Sequence, residues 1–104
     1  MLRPGLADVV GPSMGPTLRH GDVVVVLWGA RPNPGAVVVA RRPDRPDLTI
    51  VKRVRRIRPD GAVWLEGDLG IASDDSRLFG AVPADHVLGR VVARLRRGRP
   101  RLVR

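Results

Sequence analysis

A serine at position 13 and a lysine at position 52 are the two residues of this sequence whose types and settings suit nucleophilic catalysis. Ser13 stands in the segment GPSMGP, residues 11–16. The glycines and prolines of this segment disfavour a long helix or strand, so we predict that Ser13 is held on a rigid, irregular turn, as nucleophiles commonly are. A lone turn serine is more often an ordinary surface residue. Ser13 is therefore a strong candidate for a nucleophile only if the chain also supplies a catalytic partner.

The candidate partner is Lys52, the only lysine among 19 Lys and Arg residues. Arginine cannot be deprotonated in a protein, whereas lysine can lose its proton once it is desolvated. In a strand over residues 48–55, alternation places Lys52 on the same face as Ile50 and Val54. Desolvation among aliphatic side chains lowers the pKa of a lysine, which makes the neutral amine accessible. A snorkelling lysine at a strand edge is an equally good interpretation of the sequence alone.

Together these residues predict a serine–lysine dyad, in which the neutral Lys52 amine removes the proton of the Ser13 hydroxyl. A histidine-based triad or a weak metal site is the competing interpretation. The triad would combine a histidine, His20 or His86, with one of the aspartates Asp22, Asp68 and Asp85. The metal site would use His20, Asp22 and His86. No strong ligand spacing is present, so we predict no metal site and two solvent-facing histidines.

A third segment, GDLGIASDDSRLFG at residues 67–80, is too long and polar for a tight turn, and loops of this kind are commonly functional. Residues 11–22, 51–54 and 67–80, in this order, resemble the type I signal peptidases and their soluble relatives. The resemblance implies that Ser13 is the nucleophile and Lys52 the general base. It also implies an oxyanion hole built from the Ser13 amide, with Met14 supplying a further main-chain donor.

The resemblance assigns supporting roles in the third segment. The position of Ser73 orients the lysine amine by a hydrogen bond, and Asp75 and Arg77 form an ion pair that supports the loop. A surface ion pair of little energetic value is the alternative for Asp75 and Arg77. Gly11 departs from the family, because some members carry a serine there whose hydroxyl joins the oxyanion hole. Further departures are Ala36 and Leu69, which replace an aspartate and an asparagine.

The predicted partner is a protein or peptide substrate with a leader segment. We expect it to bind as an added strand beside one of two segments. These are residues 9–12 (Val9, Val10, Gly11 and Pro12) and the start of the lysine strand (Ile50 and Val51). Family resemblance implies small residues just before the cut. Among members without an anchor, the chain resembles those that trim the leader of nickel-containing superoxide dismutase.

Length, composition and charge limit the locations and partners that the sequence is compatible with. The chain of 104 residues has no cysteine, and its longest apolar run, residues 23–28, falls far short of the ~20 residues that span a bilayer. With no secretory signal pattern, we expect a chain without a transmembrane anchor and a cytoplasmic location. The net charge is +9, yet the few aromatic residues argue against a nucleic-acid partner. No cofactor is predicted.

The predicted fold is mainly β, a single small domain similar to signal peptidases and to the cleavage domains of SOS repressors. Strands are predicted over residues 6–10, 22–28, 36–40, 48–57, 62–66 and 87–95. The peptidase domain is assigned to residues 1–95 and a mobile basic tail to residues 96–104. Two other functions stay open: a regulatory domain of the self-cleaving repressor type, and a non-catalytic basic binding module.

Overall fold

One antiparallel sheet organises the chain, with the strands in the order β1-β2-β6-β3-β4-β5 and β7 paired to β6. The computed structural model describes residues 2–70 and 74–103. This arrangement confirms the predicted mainly β domain. The strands are β1 (Arg3–Asp8), β2 (Val23–Trp28), β3 (Val37–Arg41), β4 (Thr49–Ile57), β5 (Val63–Glu66), β6 (Val87–Arg96) and β7 (Arg99–Leu102). The helical elements are α1 (Ser76–Phe79) and a turn of 3₁₀ helix (Ala84–His86).

Strand β3 lies at the centre because its residues are apolar on both faces. Val37 and Val39 pack into a first core cluster with residues of β2 and β6. Val38 and Ala40 point the other way, into a second cluster with residues of β4 and β5. A β-branched run without alternation is typical of a strand buried on both faces. The two clusters hold the β1–β2 half and the β4–β5 half of the sheet against β3 and β6.

Strand β6 joins these halves, since it pairs with β2 along one edge and with β3 and then β7 along the other. Gly89 allows the close approach to β2. A Cβ at this position would lie 2.8 Å from Val26 Cγ1 and 2.9 Å from the Leu27 carbonyl oxygen. The strands therefore meet at a distance that only glycine accommodates without a shift.

The loop between β1 and β2, residues 9–22, carries Ser13 and is closed at its base. The Val9 amide donates to the Asp22 carbonyl at 2.8 Å, and the Gly21 amide donates back to the Val9 carbonyl at 2.9 Å. Two side chains of the loop, Met14 (1% exposed) and Leu18 (0% exposed), are anchored in the first core cluster. The nucleophile candidate is thus presented on a segment fixed by both backbone bonds and buried anchors.

The region assigned to a basic tail is partly a strand. Residues Arg99–Leu102 form β7 and pair with β6, and the predicted domain boundary at residue 95 falls inside β6. The reason is the two-residue turn Arg97-Gly98, where both residues have positive φ (52° and 76°). Positive φ at both positions is the geometry of a tight β-hairpin. No helix within residues 2–70 and 74–103 is long and apolar enough to span a bilayer.

Candidate active site

Ser13 and Lys52 line the same cavity, which has a volume of about 260 Å³. Its lining includes residues 7–10, at and just after the end of β1, and residues 49–52, at the start of β4. Of the residues predicted to bind substrate, four line this cavity and two, Gly11 and Pro12, lie in the serine loop without lining it. The four are Val9, Val10, Ile50 and Val51.

The turn at Ser13 is fixed by hydrogen bonds from three directions. The Leu69 amide donates to the Ser13 carbonyl at 3.0 Å, which ties the turn to the third segment (residues 67–80, hereafter the third motif). Within the loop, the Gly15 amide donates to the Pro12 carbonyl at 2.9 Å. The Gly11 amide donates to His20 Nδ1 at 3.0 Å. The half-buried Ser13 side chain therefore faces the cavity from a backbone with little freedom to move.

A single carboxylate, that of Asp68, connects the serine loop to the lysine strand. Thr17 Oγ1 donates to Asp68 Oδ2 at 2.6 Å, and Arg53 donates to both oxygens at 2.8 Å. Burial tends to raise the pKa of Asp68, but the hydrogen bonds from Arg53 and Thr17 outweigh it and hold the pKa below its usual value. Sequence reasoning treated Asp68 only as a possible triad member. The sequence signal that could have indicated a structural role for Asp68 was its position beside Gly67 at the start of the third motif.

Lys52 is buried, with 5% of its surface exposed, which excludes the snorkelling interpretation. It lies opposite Val38 in the β3–β4 ladder, on the side of the second core cluster. Burial lowers the pKa of Lys52; the negative charges of Asp75 and Asp74 oppose this shift without cancelling it. No hydrogen bond or salt bridge from the ammonium group reaches any of residues 2–70 or 74–103. The lowered pKa makes the neutral amine, with its free lone pair, more accessible than it is in an exposed lysine.

The Asp75–Arg77 pair is present and is not an ordinary surface pair, because Asp75 is fully buried. Arg77 Nε and Nη2 donate to the Asp75 carboxylate at 3.0 and 2.6 Å, and the Gly67 amide donates to it at 2.9 Å. Arg77 Nη2 also donates to the Gly70 carbonyl at 3.0 Å. These contacts join the start of the third motif to α1. Ser73, predicted to orient the lysine, lies outside the described residues.

Sequence reasoning assigned no role to Ser76. Its side chain is buried, and its Oγ accepts a hydrogen bond of 2.8 Å from the Leu65 amide of β5. Asp75 caps the N-terminus of α1 at the same place, accepting from the Arg77 amide at 3.1 Å. The short helix is thus fastened to the sheet at its first turn. The signal that could have found this contact was an aspartate followed by a serine at the start of a helical turn.

Two main-chain donors, the amides of Ser13 and Met14, are available for an oxyanion. Within the described part of the chain, neither the Ser13 amide nor the Met14 amide donates to another group. The Met14 side chain is buried in the core, so only its main chain can contribute at the cavity. Unpaired amides beside a nucleophile suit the stabilisation of a developing negative charge.

The two histidines take no part in the cavity. His20 is exposed, and its Nδ1 is occupied as the acceptor for the Gly11 amide. His86 lies in the 3₁₀ turn, with its Nδ1 3.4 Å from the Arg41 carbonyl oxygen. Neither position allows a histidine to act as a base toward Ser13 in this arrangement. The geometry favours the dyad over a histidine triad.

Comparison with known proteins gives an independent result. Residues 5–68 match the Peptidase S24-like family, and residues 55–96 match the signal peptidase S26 family. Mitochondrial inner membrane protease subunit 1 is 35% identical in Xenopus tropicalis and 31% identical in Homo sapiens. The alignments cover 82% and 84% of this chain, which spans 65% and 66% of those proteins. The mitochondrial ATP-independent inner membrane protease subunit 1b of Arabidopsis thaliana is 31% identical, over 86% of this chain and 69% of that protein.

These relatives correct one expectation. The cytoplasmic location predicted from the sequence is wrong, because the relatives are subunits of proteases of the mitochondrial inner membrane. The prediction took the absence of a long apolar run as evidence of location, although such an absence does not determine where a protein acts. The chain spans just under two thirds of the length of the frog and human proteins.

The two family matches overlap within β4 and β5 and together reach from β1 to β6. The first match contains both Ser13 and Lys52, and the second contains the Asp75–Arg77 pair. Matched over more than half of its length, the chain belongs to the S24-like peptidase family and is related to the signal peptidases.

Proposed function

We propose that this chain is an endopeptidase that uses Ser13 as nucleophile and Lys52 as general base. The observation that carries the proposal is that both residues line one cavity, with the lysine buried and its pKa lowered by that burial. A desolvated lysine can act as a base because its neutral form is populated. No histidine or second carboxylate is needed for the reaction.

The reaction proceeds in two steps. Ser13 Oγ attacks the scissile carbonyl carbon while its proton passes to Lys52 Nζ, and the negative charge collects on the carbonyl oxygen. The lysine then gives the proton to the leaving amine nitrogen as the peptide bond breaks, which leaves an acyl–serine ester. Water, deprotonated by Lys52, hydrolyses the ester and restores the serine hydroxyl. The amides of Ser13 and Met14 stabilise the oxyanion, and Gly11 adds no side-chain donor.

The substrate binds as an extended strand between two free strand edges. β1 pairs with β2 on one side, and no other described strand pairs with it. β4 pairs with β3 from Thr49 onward but with β5 only from Arg53 onward, so residues 49–52 keep an unpaired edge. Both segments line the cavity that holds Ser13 and Lys52. A peptide placed between them can form main-chain hydrogen bonds on both sides.

The cavity volume of about 260 Å³ suits small side chains next to the cut. The substrate class is therefore a protein whose leader ends in small residues. The relatives are subunits of inner membrane proteases, which favours leaders presented at a membrane. The finer assignment, the precursor of nickel-containing superoxide dismutase, rests on the family resemblance and is the first individual substrate to test.

The test compares cleavage by the wild type with Ser13→Ala, Lys52→Arg and His86→Gln. Lys52→Arg keeps the positive charge and removes only the ability to lose a proton, so we expect both dyad variants to be inactive. His86→Gln is the matched control and should cleave like the wild type. Mass spectrometry of leader peptides ending in small residues gives the readout. Normal cleavage by Lys52→Arg would refute the dyad.

Two further arms of this experiment separate the alternatives. Cleavage of small-residue leader peptides without cleavage of the superoxide dismutase precursor would keep the chemistry and reject that substrate. Shortening of the chain itself in the absence of substrate, dependent on Ser13, would favour the self-cleaving regulatory function. The intact mass of the protein after incubation distinguishes this result from peptide cleavage.

A further inference from the structure

The β6–β7 hairpin carries a concentration of positive charge that catalysis does not use. Its basic patch consists of the hairpin arginines with Arg19 of the serine loop: Arg19, Arg94, Arg96, Arg97, Arg99 and Arg101. Two pairs of these arginines, Arg94 with Arg101 and Arg96 with Arg99, lie directly opposite each other across the strands. Like charges in such positions destabilise a hairpin. An anionic partner would remove this repulsion.

The carboxylate nearest to the basic patch is already occupied. Asp22 is buried, accepts from Arg96 Nε and Nη2 at 3.0 and 2.9 Å, and accepts from the Arg19 amide at 2.8 Å. Arg97 and Arg99 form no salt bridge within residues 2–70 and 74–103. Together with Arg19, they line an open groove of about 740 Å³. The groove therefore presents guanidinium groups to solvent without neutralising them.

The positive charges are close enough to affect one another. Burial lowers the pKa of Arg94, and the charges of Arg96, Arg101 and Arg19 lower it further. Arg94 also donates from Nη1 to the Thr17 carbonyl at 2.7 Å, so the basic patch is in direct contact with the loop that carries Ser13. An anionic surface bound here would lie against the same loop that presents the nucleophile.

The composition of the hairpin favours a lipid surface over a nucleic acid. Leu102, next to Arg101, is 70% exposed, and a large apolar side chain among arginines suits the boundary between headgroups and acyl chains. The aromatic residues Trp28, Trp64 and Phe79 all lie outside the hairpin, so the patch offers no platform for stacking bases. We propose that the basic patch docks this protein on the surface of an anionic phospholipid membrane.

The test measures flotation of the intact protein with vesicles of phosphatidylcholine alone and of phosphatidylcholine mixed with phosphatidylglycerol. Wild type should bind only the anionic vesicles, and added salt should release it. The double variant Arg97→Gln with Arg99→Gln should bind about 25-fold more weakly, because each basic residue near such a surface contributes about fivefold. Leu102→Ser should also weaken binding.

The matched control is Arg31→Gln with Arg45→Gln, which removes the same charge from exposed loops at the opposite end of the sheet. It should bind like the wild type. Equal losses in the two double variants would attribute binding to net charge and overturn the proposal, as would binding to neutral vesicles. Tighter binding to a DNA duplex than to anionic vesicles, at equal phosphate concentration, would replace the membrane with a nucleic acid. Because flotation does not require peptidase activity, its failure would leave the catalytic proposal standing.

Discussion

The Leu69 amide donates a hydrogen bond of 3.0 Å to the carbonyl oxygen of Ser13, so the third motif holds the turn that presents the proposed nucleophile. The neighbouring residue, Asp68, binds both Thr17 in the serine loop and Arg53 beside Lys52. Two consecutive residues, Asp68 and Leu69, thereby hold the serine loop and the lysine strand, which carry the two members of the proposed dyad, in fixed relative positions. The third motif acts on the site through backbone and carboxylate contacts at its first residues.

Replacing Asp68 with asparagine should lower both stability and activity. The change removes the negative charge that Asp68 places beside the partly buried Arg53 guanidinium, and we expect the free energy of unfolding to fall by about 1–3 kcal/mol. The value of kcat/KM should fall as well, because the serine loop is released from the lysine strand. Urea unfolding and peptide cleavage measure the two effects. Thr17→Val is the milder comparison, with a loss of about 1 kcal/mol. A stability loss with unchanged kcat/KM would show that the contacts of Asp68 with Thr17 and Arg53 do not align the proposed dyad.

The acid limb of the pH–rate profile should report the pKa of Lys52, since activity requires the neutral amine. The charge of Asp74 favours the ammonium form, whereas that of Arg42 disfavours it. Asp74→Asn should therefore move the acid limb of kcat/KM to lower pH, and Arg42→Gln should move it to higher pH. Asp85→Asn serves as the distant control. Shifts in the same direction for both variants would contradict the assignment of this limb to Lys52.

Lys52→Met should abolish cleavage and yet stabilise the fold. The variant removes a buried, desolvated amine, and we expect the free energy of unfolding at neutral pH to rise by about 1 kcal/mol. The pKa of Lys52 is lower in the folded state than its ordinary value of 10.5, so the unfolded chain binds more protons and wild-type stability rises with pH. The stability advantage of the variant over the wild type should accordingly shrink as the pH rises from neutral towards 10.5. Urea unfolding at several pH values gives the measurement, and a less stable Lys52→Met protein would contradict it.

Main-chain pairing of the substrate predicts sensitivity to N-methylation. A leader peptide N-methylated at a residue that lies between β1 and β4 loses a backbone donor, so KM should rise about two- to tenfold for each hydrogen bond lost. A peptide methylated outside the bound segment provides the control. Steady-state cleavage of the peptide series separates KM from kcat. Equal KM values throughout the series would mean that the substrate does not bind as an added strand.

Local patterns place Lys52 on the apolar face of its strand and predict the two strands of the β4–β5 hairpin, although a snorkelling lysine fits the sequence equally well. Alternation has a period of two, so a strand over residues 48–55 assigns each side chain to a face without knowledge of the rest of the fold. The turn between β4 and β5 contains Gly61, whose φ of 87° lies in the left-handed region that favours glycine. The Gly/Pro segment around Ser13 likewise predicted an irregular turn. In each case the determining residues lie within a few positions of the feature.

Long-range contacts were not predictable in the same way. Thr17 and Asp68 are separated by 51 positions, and no periodicity in either segment indicates the hydrogen bond between their side chains. The strand β7 was missed because its arginines favour a solvated tail, while the positive φ of Arg97 depends on the hairpin that it helps to form. The groove beside Asp22 also arises only when β6 brings Arg96 against the serine loop.

The position of β6 between β2 and β3 also determines at what stage of synthesis the cavity lined by Ser13 and Lys52 can form. Ser13 is attached through β2 and Lys52 through β4 and β3, and β6 (Val87–Arg96) is the strand that joins these halves. Both members of the dyad precede β6 in the chain, so a nascent polypeptide carries them well before the joining strand emerges from the ribosome. Until β6 is inserted, the serine loop and the lysine strand have no shared cavity. Synthesis from the N-terminus would therefore delay the proposed peptidase activity until β6 has folded, which would protect the nascent chain from attack by Ser13.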